Sequence, residues 1–275
     1  MRGQGNRGRR HTNTFMKIAT WNVNSIRVRT PHLIRWLESA SPDVVCLQET
    51  KVTDEQFPEK VLSECGYHSV YTGQKTYNGV AILAKEKAKV EEVKLPGGDG
   101  DAEARYLQVK INNVRIGSIY LPNGNPTDGP KFPYKLSWMR RLVDHAQELL
   151  RFEEPLVLCG DYNICPTNED TYDPEGFADD AVCHPLSRQL YRELTNSGFV
   201  DALRVFNSAP DLYTYWDYQA GRWNKDQGLR IDHFLVSPEA ADLLAAASVD
   251  KEPRGWTKPS DHTPVVCEFD LGGLL

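Results

Sequence analysis

The sequence predicts an α/β domain in which mixed β-sheets are covered by helices. Three observations carry that prediction. Short apolar runs alternate with segments of helical, 3.6-residue patterning. Two of the runs, 106–111 and 114–121, are separated only by Asn112 and Asn113, which reads as a hairpin and so as antiparallel pairing. No Ser/Gly-rich linker and no 20–50-residue repeat divides the 275-residue chain, which is long enough to bury a sizeable core.

Each element can be justified in chain order. Residues 1–15 hold Arg2, Arg7, Arg9 and Arg10 with no acid and no apolar stretch. They read as a disordered basic tail rather than a secretory signal, and the folded domain is expected as one unit over 16–275. "KIATWNV" (17–23) is a strand ending in polar residues. "TPHLIRWLESA" (30–40) reads as a helix with Thr30 as N-cap and Pro31 at its first position. "DVVCLQET" (43–50) is a buried strand, and "DEQFPEKVLSEC" (54–65) a helix despite Pro58. "GVAILAK" (79–85) precedes the hairpin, and a long helical pattern fills 133–152. "PLVLCGDYN" (155–163) is a buried strand, and 184–198 is a helix closed by Gly198. "LYTYWDY" (212–218), "RIDHFLV" (230–236) and "TPVVCEFD" (263–270) are the last strands.

Composition narrows the function. Hydrophobic residues make up 40% and charged residues 25%, an ordinary balance for a soluble globular protein. A net charge of −6 argues against a passive, basic nucleic-acid coat, although it says nothing about where the acids cluster. No apolar run approaches the ~18 residues of a membrane span; "AADLLAAA" (240–247) is only helix-sized. The six cysteines form no C-x-x-C pair, which points to a reducing, cytoplasmic compartment and to no zinc cluster.

Several core strands end in, or lead into, polar clusters. These are Asn22 and Asn24, Gln48 and Glu49, Tyr120 and Asn123, Asp161 and Asn163, and Asp261 with His262. Ligands of α/β sheets bind outside strand ends. Glu49, with Asn22 opposite it, reads as a hard oxygen ligand for Mg²⁺ or Mn²⁺. Asp161 and Asn163 share one side if the segment is extended, while Gly160 beside them also allows a turn. Asp232 lies among Ile231 and Phe234, where a carboxylate needs a partner.

Six motifs follow one another in order: "TWNVNSIRVR" (20–29), "DVVCLQETK" (43–51), "YLPNGN" (120–125), "LCGDYN" (158–163), "GLRIDHFLVS" (228–237) and "KPSDHTPV" (258–265). From about Met16 to Phe269 the chain resembles the exonuclease III family of DNA-repair nucleases, the AP endonucleases, within the endonuclease/exonuclease/phosphatase superfamily that includes DNase I. The resemblance implies a four-layer α/β sandwich, with two mixed β-sheets flanked by helices (DNase I-like). It implies Mg²⁺, with Mn²⁺ as substitute, and hydrolysis of the phosphodiester 5′ to abasic sites. Removal of 3′ nucleotides and 3′ blocking groups from duplex DNA goes with it, as does base excision repair by a monomer that uses no membrane and works with the nucleoid.

It also implies roles. Glu49 is the principal metal ligand, with oxygens from Asn22 and Asp261 and with Asp161, Asn163 and His262 close to the ion. Asp161 activates the attacking water and later protonates the leaving oxygen. Asn163 steadies the phosphate. Asp232 orients His262 at the scissile phosphate, and Tyr120 hydrogen-bonds that phosphate. Asn24, Lys51 and Asn123 contact the substrate. Tyr215, Leu229 and Ile231 surround a flipped abasic sugar, while Trp216 faces the core. Asn123, Tyr162 and His233 depart from the best-known bacterial pattern without removing a catalytic group. Two alternatives stand beside this reading: another phosphodiesterase or phosphatase of the superfamily, and a non-catalytic DNA-binding module.

Overall fold

In the computed structural model, which describes residues 15–98 and 100–272, the apolar runs assemble into two six-stranded sheets. Along the chain come β1 (Phe15–Asn22), α1 (Ile26–Ala40), β2 (Val44–Gln48), α2 (Glu59–Glu64), β3 (His68–Thr72), β4 (Val80–Ala84), β5 (Lys89–Glu92), β6 (Tyr106–Ile111) and β7 (Val114–Tyr120). There follow α3 (Lys131–Leu150), β8 (Leu156–Asp161), α4 (Pro185–Asn196), β9 (Val200–Asp201), α5 (Ala202–Phe206), β10 (Asp232–Val236), α6 (Pro238–Ala241), β11 (Leu244–Val249) and β12 (Val265–Asp270). The first sheet runs β11-β12-β1-β2-β4-β3 and the second β5-β6-β7-β8-β10-β9. Both are mixed: β1–β2 and β7–β8 are parallel, and the remaining pairs are antiparallel.

Burial on both faces explains the unbroken apolar runs. Ile18, Cys46 and Ile82 of the first sheet face Ile116, Val157 and Phe234 of the second across a central core. The outer face of the first sheet packs Trp21 and Leu47 on Leu33, Trp36 and Leu37 of α1. The outer face of the second packs Leu158 and Leu235 on Trp138 and Leu142 of α3 and Leu190 and Leu194 of α4. Four layers result, helix–sheet–sheet–helix, as the resemblance implies. Each large apolar side chain fully removed from water adds roughly 1.5–3 kcal/mol.

Several local expectations are corrected. Helix α1 starts at Ile26, so Thr30 is not its N-cap and Pro31 lies inside it. Tertiary contacts set that start: the amides of Ser25 and Ile26 donate to the carbonyls of Glu49 and Thr50 at 2.7 and 3.0 Å. The segment 54–65 splits into a 3₁₀ turn, Asp54–Gln56, and α2, because Pro58 suits a helix start and not its interior. Helix α4 ends at Asn196, with Gly198 beyond it. "AADLLAAA" is not one helix: after α6 it becomes β11, which pairs with β12. Residues 212–218 form only isolated bridges, not a strand. The sequence patterns do not mark β3, β5 or β9, all sheet edges with little apolar content. Of the expected tail, Phe15 instead begins β1, paired with Asp270, and the rest lies outside the described residues. Among the described residues, no helix is long and apolar enough to cross a membrane.

Candidate active site

Sheet register gathers the polar strand ends at one edge of the sandwich. β1 and β2 run parallel with Asn22 beside Gln48, so Asn22 and Glu49 emerge together. β12 runs antiparallel to β1, which brings the Ser260–Asp261–His262 turn back to the same edge. In the second sheet Tyr120 pairs with Asp161 on one side and Asp232 pairs with Asp161 on the other. Asp232 is thus in an interior strand, not at an edge. Gly160 makes the register possible, since its φ is +151° and a Cβ there would lie 1.9 Å from the Ile119 carbonyl oxygen. The two sheets open on one cleft of about 400 Å³.

Hydrogen bonds lock the cleft floor. The Asn22 amide donates to Glu49 Oε1 at 2.8 Å and to Asp161 Oδ2 at 2.9 Å. His262 Nδ1 lies 2.9 Å from Asp232 Oδ2, and its Nε2 lies 3.8 Å from Asp161 Oδ2. Thr214 donates to the same Asp232 oxygen at 2.6 Å, fixing the carboxylate that orients the imidazole. Ser260 ties the turn to β1 by donating to the Asn22 carbonyl at 2.7 Å. Asp161 and Asn163 are not an extended pair: Asn163 has φ +49° and its amide donates to Asp161 Oδ1 at 2.9 Å, a tight turn. Glu49 also sits in the left-handed region, at φ +53°, a conformation that costs about 1 kcal/mol or more.

The other expected residues lie at the rim or the wall. Lys51 pairs with Glu49 Oε2 at 2.6 Å and reaches Asn24 Oδ1 at 2.5 Å. Asn24 donates to Asp261 Oδ1 at 2.9 Å, and Asn123 to Asn163 Oδ1 at 3.1 Å. Tyr215, Leu229 and Ile231 line the cleft, joined by Tyr172, Phe177 and Val182. Trp216 is fully buried and faces away, as expected.

Burial opposes ionisation throughout. Burial raises the Glu49 pKa, yet Lys51, the Asn22 amide and His262 together hold it below its ordinary value. Burial pushes Asp161 up to about 7; His262 opposes this, while Asp232 and Glu49 add to it. Burial would lower His262, but Asp232, Asp161 and Asp261 raise it to about 10. Tyr120 is driven well above its ordinary value by burial, with Glu49 and Asp161 adding to the shift and Arg105 opposing it.

Glu49, Asp161 and His262 each offer a donor atom within 4.8 Å of the others. The two carboxylates fit a hard divalent cation; Asn22, expected to lend an oxygen, instead turns its amide nitrogen to them, its Oδ1 accepting from the Asn24 amide at 3.0 Å. Sequence reasoning missed several members of the site. Thr214 is a lone hydroxyl between aromatics, with nothing in its pattern to mark it. Lys135 left a trace, as a lysine on the apolar stripe of α3. The wall residues Tyr172, Phe177 and Val182 come from a loop with no periodic signal.

A fold of two stacked mixed sheets whose strand ends converge on acids and a carboxylate-held histidine defines a hydrolase class. The chain belongs to the Endonuclease/Exonuclease/phosphatase family, whose pattern matches residues 19–262. Exodeoxyribonuclease III of Haemophilus influenzae is 32% identical over 270 residues, covering 92% of this chain and 100% of that protein. The exodeoxyribonuclease of Bacillus subtilis is 30% identical, covering 91% and 98%. Among solved structures, the 3′-5′ exonuclease NExo of Neisseria meningitidis superposes with a TM-score of 0.89 at 40% identity, covering 93% of this chain and 100% of that one. An AP endonuclease from Archaeoglobus fulgidus superposes with the same TM-score at 37% identity, covering 93% and 99%. The chain is a DNA-repair nuclease of the exonuclease III type, and divalent-metal dependence is typical of its family.

Proposed function

We propose that this nuclease hydrolyses duplex DNA 5′ to abasic sites and also removes 3′ nucleotides and 3′ blocking groups, using Mg²⁺ with Mn²⁺ as substitute. One observation carries the abasic-site reading: the apolar wall of Tyr215, Leu229, Ile231 and Phe177 stands in the same cleft as Glu49, Asp161 and His262. A flipped deoxyribose without a base is small and largely apolar, so shape can select it without reading base edges.

The residues then divide the work. Glu49 would hold the cation, with oxygens of Asp161, Asn163 and Asp261 around it; Asn22 orients the two carboxylates through its amide nitrogen, and His262, with Nδ1 on Asp232 and a proton on Nε2, stays outside the ligand set. When bound, the cation supplies charge neutralisation at the phosphoryl oxygens. Asp161, near neutral in its proton affinity, takes the proton of the attacking water and returns it to the leaving oxygen. His262 keeps its proton and donates from Nε2 to a phosphate oxygen, oriented by Asp232 and Thr214. Tyr120 remains a phenol and donates a hydrogen bond. Asn163 steadies the phosphate, while Asn24, Lys51 and Asn123 bind flanking DNA.

The enzyme acts as a monomer in the cytoplasm, with the nucleoid, through one catalytic domain that starts with β1 at Phe15. The buried Asp232–His262 pair argues against a catalytically dead DNA-binding module. Two end-labelled duplexes test the reading, one with an abasic analogue and one intact with a recessed 3′ end. Mg²⁺-dependent incision 5′ to the analogue is expected. Trimming of the recessed end without incision would remove the abasic-site assignment, and turnover of inositol phosphates in place of DNA would remove both.

A further inference from the structure

Lys135 lies on the buried stripe of α3 with Trp138, Met139 and Leu142, and is itself completely buried. A charged ammonium in such a place is strongly unfavourable unless it is hydrogen-bonded. Its partners are not carboxylates but two backbone carbonyls. Nζ donates to the Asn163 oxygen at 2.6 Å and to the Asn123 oxygen at 3.0 Å. Those carbonyls belong to the loops that leave β8 and β7, one from each of the strands carrying Asp161 and Tyr120.

The loops are built to receive the lysine. Gly124 has φ +91°, and a Cβ there would lie 2.6 Å from Lys135 Cδ, so only glycine leaves the side chain its path. Asn163, in the left-handed region, spends its amide nitrogen on Asp161 Oδ1 and its side chain on Asn123 and the Leu121 carbonyl. A strained turn persists only when its surroundings over-determine it. The Lys135 amine supplies a restraint from the buried side, outside the lining of the cleft.

We propose that Lys135 is a positioning residue for the hydrolysis: its Nζ donors clamp the Asn123 and Asn163 carbonyls together and so set Asn163, and through it Asp161, against the scissile phosphate. The simpler account is that Lys135 fills the stripe and adds only stability. A methionine of similar length would then serve as well, since it fills the stripe without donating. The proposal rests on the reading of Asp161 and Asn163 as groups that act on the phosphate.

The test compares Lys135→Met, Asn163→Ala, their combination and a control, Met139→Ala, which removes volume from the same helix face and breaks no hydrogen bond to the loops. All are assayed on the abasic duplex with Mg²⁺, well below their melting temperatures. Lys135→Met should lose about 10- to 100-fold in kcat, on the scale of one or two misaligned contacts, with KM within about threefold of wild type. Met139→Ala should keep its kcat even if it melts as early. Adding Lys135→Met to Asn163→Ala should cost little more, because the lysine acts through that residue. A Lys135→Met enzyme with the kcat of the control, or losses that add fully with Asn163→Ala, would overturn the proposal. Should Lys135→Met not fold, Lys135→Leu, which likewise fills the stripe without a donor, is read by the same criteria. Failure of the underlying reading looks different, since Asn163→Ala alone would then retain activity.

Discussion

Tyr215 stands edge-on against His262, with ring centroids 4.9 Å apart and planes inclined at 61°. Their backbones also meet in an isolated bridge, and a second bridge joins Tyr215 to Leu229. One aromatic ring therefore both lines the cleft and braces the His262 imidazole.

Tyr215→Ala should lower incision at an abasic site by roughly ten- to a thousandfold, the loss of one to three contacts at ~1.4 kcal/mol per tenfold. Its melting temperature should fall less than that of Trp216→Ala, since Trp216 is fully buried and truncating such a core tryptophan costs about 3–5 kcal/mol. Parallel incision and thermal unfolding measurements decide the matter. Unchanged incision by Tyr215→Ala would assign it to the core alone.

The 2.9 Å contact of His262 Nδ1 with Asp232 makes the two a unit. Single changes His262→Asn and Asp232→Ala should each cost several orders of magnitude in kcat, and the double mutant little beyond either. Additive losses in single-turnover kinetics would show that the residues act independently.

Of the two carboxylates grouped with His262, Glu49 and Asp161, Glu49 is the more accessible and the one held towards its charged form. Glu49→Ala, or chelation by EDTA, should abolish nicking while leaving the far-ultraviolet circular dichroism unchanged. Full nicking in EDTA would refute the metal assignment.

A fourth expectation concerns acid stability. Asp170 is fully buried and accepts from Arg230 and Arg204, both at 2.6 Å. Burial opposes its charge, but the two guanidiniums hold its carboxyl well below the ordinary range. A depressed folded-state pKa stabilises the fold above the unfolded value, about 3.9, and that contribution is lost as pH falls below it. Asp170→Asn should therefore destabilise by roughly 3 kcal/mol at pH 7, the scale of a broken buried pair. The gap from wild type should shrink as denaturant midpoints are taken down towards pH 3. A gap constant with pH would mean that Asp170 acts through packing and not through its charge.

The interior strands were legible in the sequence because a run of apolar residues buried on both faces leaves few alternatives. β1, β2, β4, β7, β8 and β12 appear where their patterns put them, within a residue or two. The acids, amides and histidine were legible for the opposite reason: polar residues at the ends of buried strands stand out from their surroundings. Glu49, Asp161, Asp232 and His262 lie well apart along the chain, and the sequence marked each without stating their distances. Sheet register fixed those, because pairing β8 between β7 and β10 is what brings Tyr120 and Asp232 to either side of Asp161.

Other features exist only as contacts between distant segments. Helix α1 begins at Ile26 because carbonyls after β2 receive its first amides, and no local residue signals that. "AADLLAAA" has good helix formers but yields a strand, since β12 offers an open edge to pair with. Lys135 is buried although it carries an amine, because two carbonyls from separate loops converge on its tip; burial lowers its pKa to about 7. By itself the sequence determined which segments are buried and which polar residues end those buried strands, both local properties of side chains. The tertiary structure decided helix starts, edge strands and the restraint behind the site, because these depend on hydrogen-bonding groups left unpaired until remote chain segments meet.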